Sequence, residues 1–460
     1  MDFLPLRWNI INLGGLILKI NKKFLVVFLL ILSVLFTSSC SKFFGVKVEI
    51  IENDEKSDVL QEAEKTKRLK FDTIADTQIS LDQIGMRLIG TEGNYGLAEE
   101  LKEYLKDFPE AETVSQPYSM KLYDEYTVSI AAGTENIIFD SSNSICKLIN
   151  DGKFNESVFI TDTLTGLDTL SNYILITDSE ELIEVSKEYR NVCLSLLAVD
   201  KICIGQNAIK AKTNIPTIMN VDKTTAQKLM SIKGQNAELK IEAKTKEINL
   251  ENIYAIIKGK ENTDAVVITS HIDTTTALGD NYSKGAIDNG SGISLNLDLF
   301  RKLYEGKNQS NYDIIFAFVN SEEGFLLKSS SGSMQLSASL SFKYENVINI
   351  NLDCLGEKNI GLLSYGYDGN INGNKLKEVI NKQNTDKFKL ELADYYTSDN
   401  LSFDNSIYFY NFDYHGENRI IHTERDTIDA VDMSSLEAIS NIVFSVLIEL
   451  IKLPIEELLV

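Results

Sequence analysis

Two histidines and a set of carboxylates stand where the chain could hold metal. His271-Ile272-Asp273, Asp288, the pair Glu322-Glu323, Asp353 and His422 follow one another in that order. Imidazole and carboxylate together are a donor set that zinc favours, and a catalytic zinc keeps one coordination position open. The chain has 3 histidines in all, and two of them sit beside acids, in His271-Ile272-Asp273 and in His422-Thr423-Glu424-Arg425-Asp426-Thr427. A single His-x-Asp reads most simply as a surface turn. Two histidines separated by Asp-Asn-Gly-Ser-Gly, Glu-Glu and a further aspartate read as a metal centre. The third, His415, beside Gly416 and Glu417, reads as a loop residue.

Such groups act only if the backbone delivers them to one place. Residues 266–269 form a β-branched run too short for a buried helix, so a parallel-type strand ending at His271 is expected. Residues 314–319 read the same way and stop before Glu322-Glu323, and residues 347–352 stop at Asp353. Three hydrophobic runs therefore each present an acid or imidazole at the carboxyl end, where open α/β sheets place their ligand crevice. Gly290-Ser291-Gly292 opens a helix whose Ile293, Leu297 and Phe300 share one face. Residues 434–452 read as a mostly buried helix. Upstream, residues 61–108 have helical spacing broken at 85–94, a helical cap on the later sheet. Between 111 and 247 the texture changes: short strand-like runs at 126–130, 173–177, 195–199 and 239–241 alternate with turns and one helical pattern at 180–189. That predicts an inserted mostly-β domain, followed by a strand at 253–257.

Composition sets outer limits. With 460 residues, 43% hydrophobic and 24% charged, the chain has room for two domains and is too apolar to be disordered throughout. A formal charge of -22 repels phosphate backbones and argues against nucleic-acid binding. No Cys-x-x-Cys occurs, so a structural zinc site is not indicated. Cys193 and Cys203 are readable as one disulfide or as buried thiols, and Cys354 as core filler. Lys22-Lys23 precede an apolar run at 24–36, short for about 30 Å of hydrocarbon but suited to a signal peptide. The following Thr37-Ser38-Ser39-Cys40 resembles a bacterial lipobox, which implies an extracytoplasmic lipoprotein of the cell membrane; a retained N-terminal anchor and ordinary secretion are the alternatives. Residues 1–40 are then the signal and 41–60 a tether.

The motifs together are similar to the co-catalytic two-zinc aminopeptidases of the bacterial leucyl aminopeptidase and aminopeptidase Y type. Ser270-His271-Ile272-Asp273, Gly285-Ala286-Ile287-Asp288-Asn289-Gly290-Ser291-Gly292, Asn320-Ser321-Glu322-Glu323-Gly324, Asn351-Leu352-Asp353 and His422-Thr423-x-x-Asp426-Thr427 carry the resemblance. Arg87-Leu88-Ile89-Gly90-Thr91 resembles the family's N-terminal signature. Ser398-Asp399-Asn400 resembles a Ser-Asp-His element with Asn400 in place of histidine. The resemblance implies a three-layer α/β/α zinc-exopeptidase fold around a mixed sheet, over residues 61–110 and 246–460. Residues 111–245 would be an inserted PA-like domain, which Asn214-Ile215-Pro216-Thr217-Ile218 also suggests. It implies two Zn2+ per chain, one held by His271, Asp288 and Asp353, the other by Asp288, Glu323 and His422, with Asp288 bridging. Asp273 would accept the free N–H of His271 and fix its tautomer. Glu322 would be the general base toward a metal-activated water, and Tyr395 the oxyanion donor, with Tyr396 and Tyr414 as rivals. The expected activity is release of N-terminal residues from peptides. The alternatives on the same fold are a glutaminyl cyclase, a glutamate-type carboxypeptidase, or a receptor-like binding module without catalysis. Oligomeric state and residue preference are left open.

Overall fold

The computed structural model describes residues 8–13, 16–21, 69–140, 144–149, 153–199, 209–210, 216–261, 263–275, 282–323, 331–383, 385–412 and 419–460. The chain separates into two units, Met1–Arg68 and Leu69–Val460. In the first, β1 (Trp8–Leu13) pairs antiparallel with β2 (Leu16–Asn21). The signal-like run at 24–36, Cys40 and the tether lie outside the described residues.

The second unit opens with α1 (Ile74–Ile84) and α2 (Glu92–Leu105). Thr73 caps α1, its hydroxyl accepting the Asp76 N–H at 3.0 Å, which satisfies one of the free donors of a helix start. Next come β3 (Glu112–Ala132), β4 (Glu135–Phe139), β5 (Ile145–Ile149), β6 (Lys153–Thr161), β7 (Asn172–Thr177), α3 (Glu180–Ser186), β8 (Val192–Val199), β9 (Ile209–Lys210), β10 (Thr217–Asp222), α4 (Lys223–Met230) and β11 (Asn236–Ile257). Then follow β12 (Asp264–His271), α5 (Gly292–Gly306), β13 (Asp313–Val319), α6 (Gly332–Ser341), β14 (Asn346–Leu352), β15 (Leu362–Asp368), α7 (Gly373–Asn381), β16 (Lys389–Leu392), β17 (Ser406–Tyr410), α8 (Met433–Leu450) and α9 (Ile455–Leu458).

The sheet that carries the strand-terminal acids runs β16-β15-β17-β14-β12-β13-β11. Its centre is parallel, β12 lying between β13 and β14, while β11 pairs antiparallel with β13 and β15 antiparallel with β17. The two-residue period of a strand splits its side chains between faces. Val266, Ile268, Ile314, Phe316 and Phe318 join the core shared with α1, α2, α5 and α8. Ala265, Val267, Ile315, Ala317 and Val319 join a second core with Leu336 and Leu340 of α6. Both faces are therefore helix-covered, which is why β12 and β13 read as unbroken hydrophobic runs rather than alternating ones. Each fully buried Val, Ile, Leu or Phe contributes about 1.5–3 kcal/mol, so the strand ends are anchored on a rigid platform.

One expectation needs correction. The runs at 239–241 and 253–257 are not separate strands but the two ends of β11, 22 residues long and paired with β3 from Glu112 to Ala131. One end of this ribbon pairs with β13 and the other with β6. Around the far end, β6, β7, β8 and β10 run parallel, and Val158, Ile174, Leu194, Met219 and Leu239 form a core distinct from that of the main sheet.

Candidate functional site

The three strand ends meet as the hydrophobic runs require. Asp288 lies between the two histidines: its Oδ1 is 3.2 Å from His271 Nε2 and its Oδ2 is 2.9 Å from His422 Nε2. On the first side Asp353 Oδ1 is 3.5 Å from His271 Nε2; on the second Glu323 Oε2 is 3.4 Å from His422 Nε2. Glu322 Oε2 stands 3.9 Å from His271 Nε2. All five residues expected as ligands, and the expected base, face one space.

Local structure explains how. His271 is the last residue of β12, and the Ile272 N–H donates to Val319 O at 2.8 Å, tying the chain beyond it to β13. After β13, Ser321 takes the left-handed backbone conformation (φ +61), which turns the chain so that Glu322 and Glu323 both reach the site. Tyr118 of β3 supports that turn, its hydroxyl donating to Asn320 O at 3.0 Å. Gly292 is obligatory at the start of α5: a Cβ there would sit 2.2 Å from Asn289 Oδ1 and 2.4 Å from Leu352 O. That close approach lets Asn289 Nδ2 donate to Leu352 O at 2.9 Å, which fastens the Asp288 segment to the end of β14, one residue before Asp353.

Asp273 is placed differently from its expected use. Its carboxylate is 3.7 Å from His271 Nδ1, beyond hydrogen-bond range, and the Asp273 main-chain carbonyl lies 3.2 Å from that nitrogen instead. The carboxylate accepts the Glu322 N–H at 3.1 Å and the Glu323 N–H at 2.9 Å. Asp273 therefore sets the histidine through its backbone and holds the glutamate turn through its side chain.

The electrostatics are those of crowded buried carboxylates. Burial opposes charge on His271, but Asp353, Asp273 and Asp288 outweigh it and hold the imidazole well above its usual range. Burial likewise opposes charge on His422, and Glu323 and Asp288 overcome it. Asp288, despite burial, is held well below the carboxylate range by the two imidazoles. Burial, with Glu323 and Asp399 nearby, pushes Glu322 well above its ordinary value, and burial beside Asp288 raises Glu323 to about 7.

Tyr395 is 65% exposed, and the inward tyrosine is Tyr396. Tyr396 stacks on Tyr410 of β17 with ring centroids 4.5 Å apart, which holds it in the core while Tyr395 stays at the surface. Asn400 Nδ2 donates to Asp368 Oδ2 at 2.8 Å and does not join the metal-facing group. Asp399, quoted in the sequence without a role, is buried with both carboxylate oxygens lacking hydrogen-bond partners, and burial raises it to about 7 in the field of His271 and Asp353. A Ser-Asp pair carries no sign of burial in sequence, so nothing there distinguished it. Cys354 is buried core as expected, and its thiol lies within 4.8 Å of carboxylate oxygens of Asp288 and Asp353. Tyr414, His415 and Cys203 lie outside the described residues.

The donor set fits a dication. His271 Nε2, both Glu323 carboxylate oxygens and Asp353 Oδ1 are buried without hydrogen-bond partners, an arrangement that is costly unless something shares their lone pairs. His422 differs in one respect: Arg419 Nη2 lies 3.1 Å from its Nδ1. A guanidinium only donates, whereas an imidazole that is charged, or that holds a metal on Nε2, carries a proton on Nδ1, so this contact opposes both forms of His422.

Residues 252–447 match the profile of Peptidase family M28, a span that contains all of these metal-facing side chains. No curated protein matches the chain in sequence. Among solved structures, BSAP, a zinc aminopeptidase from Bacillus subtilis, is similar with a TM-score of 0.64 and 18% identity over 85% of this chain and 99% of that one. The aminopeptidase from Aneurinibacillus sp. strain AM-1 has a TM-score of 0.60 at 19% identity, over 83% and 94%. A Peptidase M28 precursor from Shewanella amazonensis SB2B has 0.57 at 14%, over 86% and 95%. At these identities the likeness is one of fold.

Proposed function

We propose that the chain, whose residues 252–447 match the profile of Peptidase family M28, is a peptide hydrolase and, more narrowly, a zinc-dependent aminopeptidase. The observation that carries the reading is the division of Asp288, one oxygen toward His271 and the other toward His422. His271, Asp353 and Asp288 would hold one zinc, and Asp288, Glu323 and His422 a second. Two such ions lower the pKa of a water and polarise the peptide carbonyl.

The remaining steps belong to the chain. Glu322 is close to the metal-facing atoms but is the one glutamate of the pair that makes no contact with His422, which leaves its carboxylate for proton transfer. Burial raises its pKa above the ordinary carboxyl value, which strengthens it as a proton acceptor. It accepts a proton from the attacking water as the water oxygen bonds to the carbonyl carbon. The C–N bond then breaks, and Glu322 returns that proton to the departing amine. Asp273, by accepting both glutamate N–H groups, keeps Glu322 and Glu323 at fixed spacing. Tyr396, rather than the exposed Tyr395, is the tyrosine turned toward this region.

The expected partners are peptides with a free N-terminus, and the surrounding carboxylates supply a place for the α-ammonium group. The lipobox-like Cys40 supports an extracytoplasmic lipoprotein, and residues 111–245 a PA-like insertion. The test of specificity is a panel of aminoacyl-nitroanilides and dipeptides with zinc-loaded protein. Release of free amino acid supports the reading. Zinc binding without release, or release only from blocked N-termini, removes it.

A further inference from the structure

Arg87, singled out in the N-terminal signature, has no part in the mechanism above, yet it is among the largest fully buried side chains of the molecule. Its Nε donates to Ile272 O at 3.0 Å, its Nη1 to Lys284 O at 2.6 Å and its Nη2 to Gly285 O at 2.9 Å. Every acceptor is a main-chain carbonyl. Gly285 makes room for this: a Cβ there would stand 2.9 Å from Arg87 Nη2 and 2.4 Å from Asp288 O.

On the amide side of the same segment is Asp426. Its Oδ1 accepts the Ile287 N–H at 2.7 Å and its Oδ2 the Asp288 N–H at 3.1 Å. Main chain 284–288 is thus gripped by a cation on its carbonyls and an anion on its amides. The grip reaches further. Ile272 lies between His271 and Asp273, and the Asp426 N–H closes onto Thr423 O at 3.1 Å beside His422, so the two residues tie together three of the site's segments, those of His271, Asp288 and His422.

Charge is an expensive way to satisfy backbone groups, because each buried ion forfeits several kcal/mol of hydration. Neutral side chains could make comparable hydrogen bonds. What they could not supply is a fixed field: Arg87 experiences the charges of Asp426, Asp273 and Asp288. We propose that Arg87 and Asp426 are positioning residues that act as a matched clamp on Asp288, setting where its two oxygens point and so the spacing of the two metals. The proposal rests on the two-metal reading above.

The test uses the full-length metal-free protein, titrated with Co2+ and followed by visible absorption, with thermal unfolding measured with and without the metal. For Arg87→Lys and Asp426→Asn, the expected result is cobalt affinity weakened by about 10–100-fold, the loss typical of groups that orient ligands. The cobalt absorption should also change shape, Asp426→Glu should recover part of the affinity, and the double variant should be little worse than the poorer single one. A merely structural part would lower the Tm of the metal-free protein while leaving the metal-induced gain and the absorption as in the parent, and that result overturns the clamp. Should Arg87→Lys not fold, Asp426→Asn decides by the same two readouts. If the parent itself binds fewer than two Co2+, the two-metal reading fails, whatever the variants do.

Discussion

The two histidines that the proposed centre would use stand on different supports. His271 ends β12, flanked by β13 and β14, with its side chain 1% exposed and its Nδ1 facing the Asp273 carbonyl. His422 sits in a loop with φ +60, its side chain 23% exposed and its Nδ1 facing Arg419. The first histidine is pre-set by a parallel sheet packed on both faces. On the second, a metal at Nε2 leaves a proton on Nδ1 facing the Arg419 guanidinium, so Arg419 must shift as that half fills. Rigid backbone thus builds one half of the centre in advance, and binding completes the other, so the half around His271 should fill first and more tightly.

The largest expected effect comes from the group that stands on the pre-built side. Glu322→Gln should lower turnover by about 10²–10⁴-fold with bound metal unchanged, as steady-state kinetics and metal analysis of one preparation would show. Unchanged turnover would remove Glu322 from the mechanism. Next is the contrast between the halves themselves. His271→Ala should weaken both metals, whereas His422→Ala should remove only the looser one; equal losses from the two variants would erase the distinction.

Acidity offers a third handle. Glu323, Asp399 and Asp426 are each raised to about 7 in the metal-free protein, burial being the main cause. A carboxyl whose pKa is higher folded than unfolded binds its proton more tightly in the native state. The stability it adds is present in acid and is lost as pH rises from about 4 through about 7. His271 and His422, raised above their ordinary range, act in the same direction from about 6.5 upward. The Tm of chelator-treated protein should therefore fall between pH 5 and pH 8, and zinc should flatten that slope by taking the place of the protons. A Tm that rises over this range would contradict the site's electrostatics. The smallest effect concerns the loop side: Arg419→Gln should tighten the weaker metal by a few-fold, under about 1.4 kcal/mol, measurable by chelator competition. Weaker binding would mean that Arg419 supports His422 rather than opposing it.

Much of this was legible in the sequence, for a physical reason. Strands buried on both faces are continuous apolar runs, and an acid or histidine that stops such a run is conspicuous. That located His271, Glu322, Glu323 and Asp353 on their strand ends. The β3–β11 ribbon was harder, because between its two packed ends Lys244, Lys246, Glu247, Asn249 and Glu251 interrupt the apolar pattern. Asp273 was read as a partner for the imidazole when its carboxylate serves two backbone N–H groups. Asp426 and Arg87 are of the same kind: their partners are main-chain atoms, which every residue carries and no motif announces. The choice between Tyr395 and Tyr396 turned on a stacking partner, Tyr410, in a strand that only the fold brings near.

The most direct measurement is calorimetric titration of the metal-free full chain with zinc, beside the same titration of His422→Ala. The account predicts two zinc ions per chain in the parent, a tighter event followed by a weaker one, with only the weaker event missing from the variant. A single event in the parent, or a variant that loses the tighter one, would contradict it.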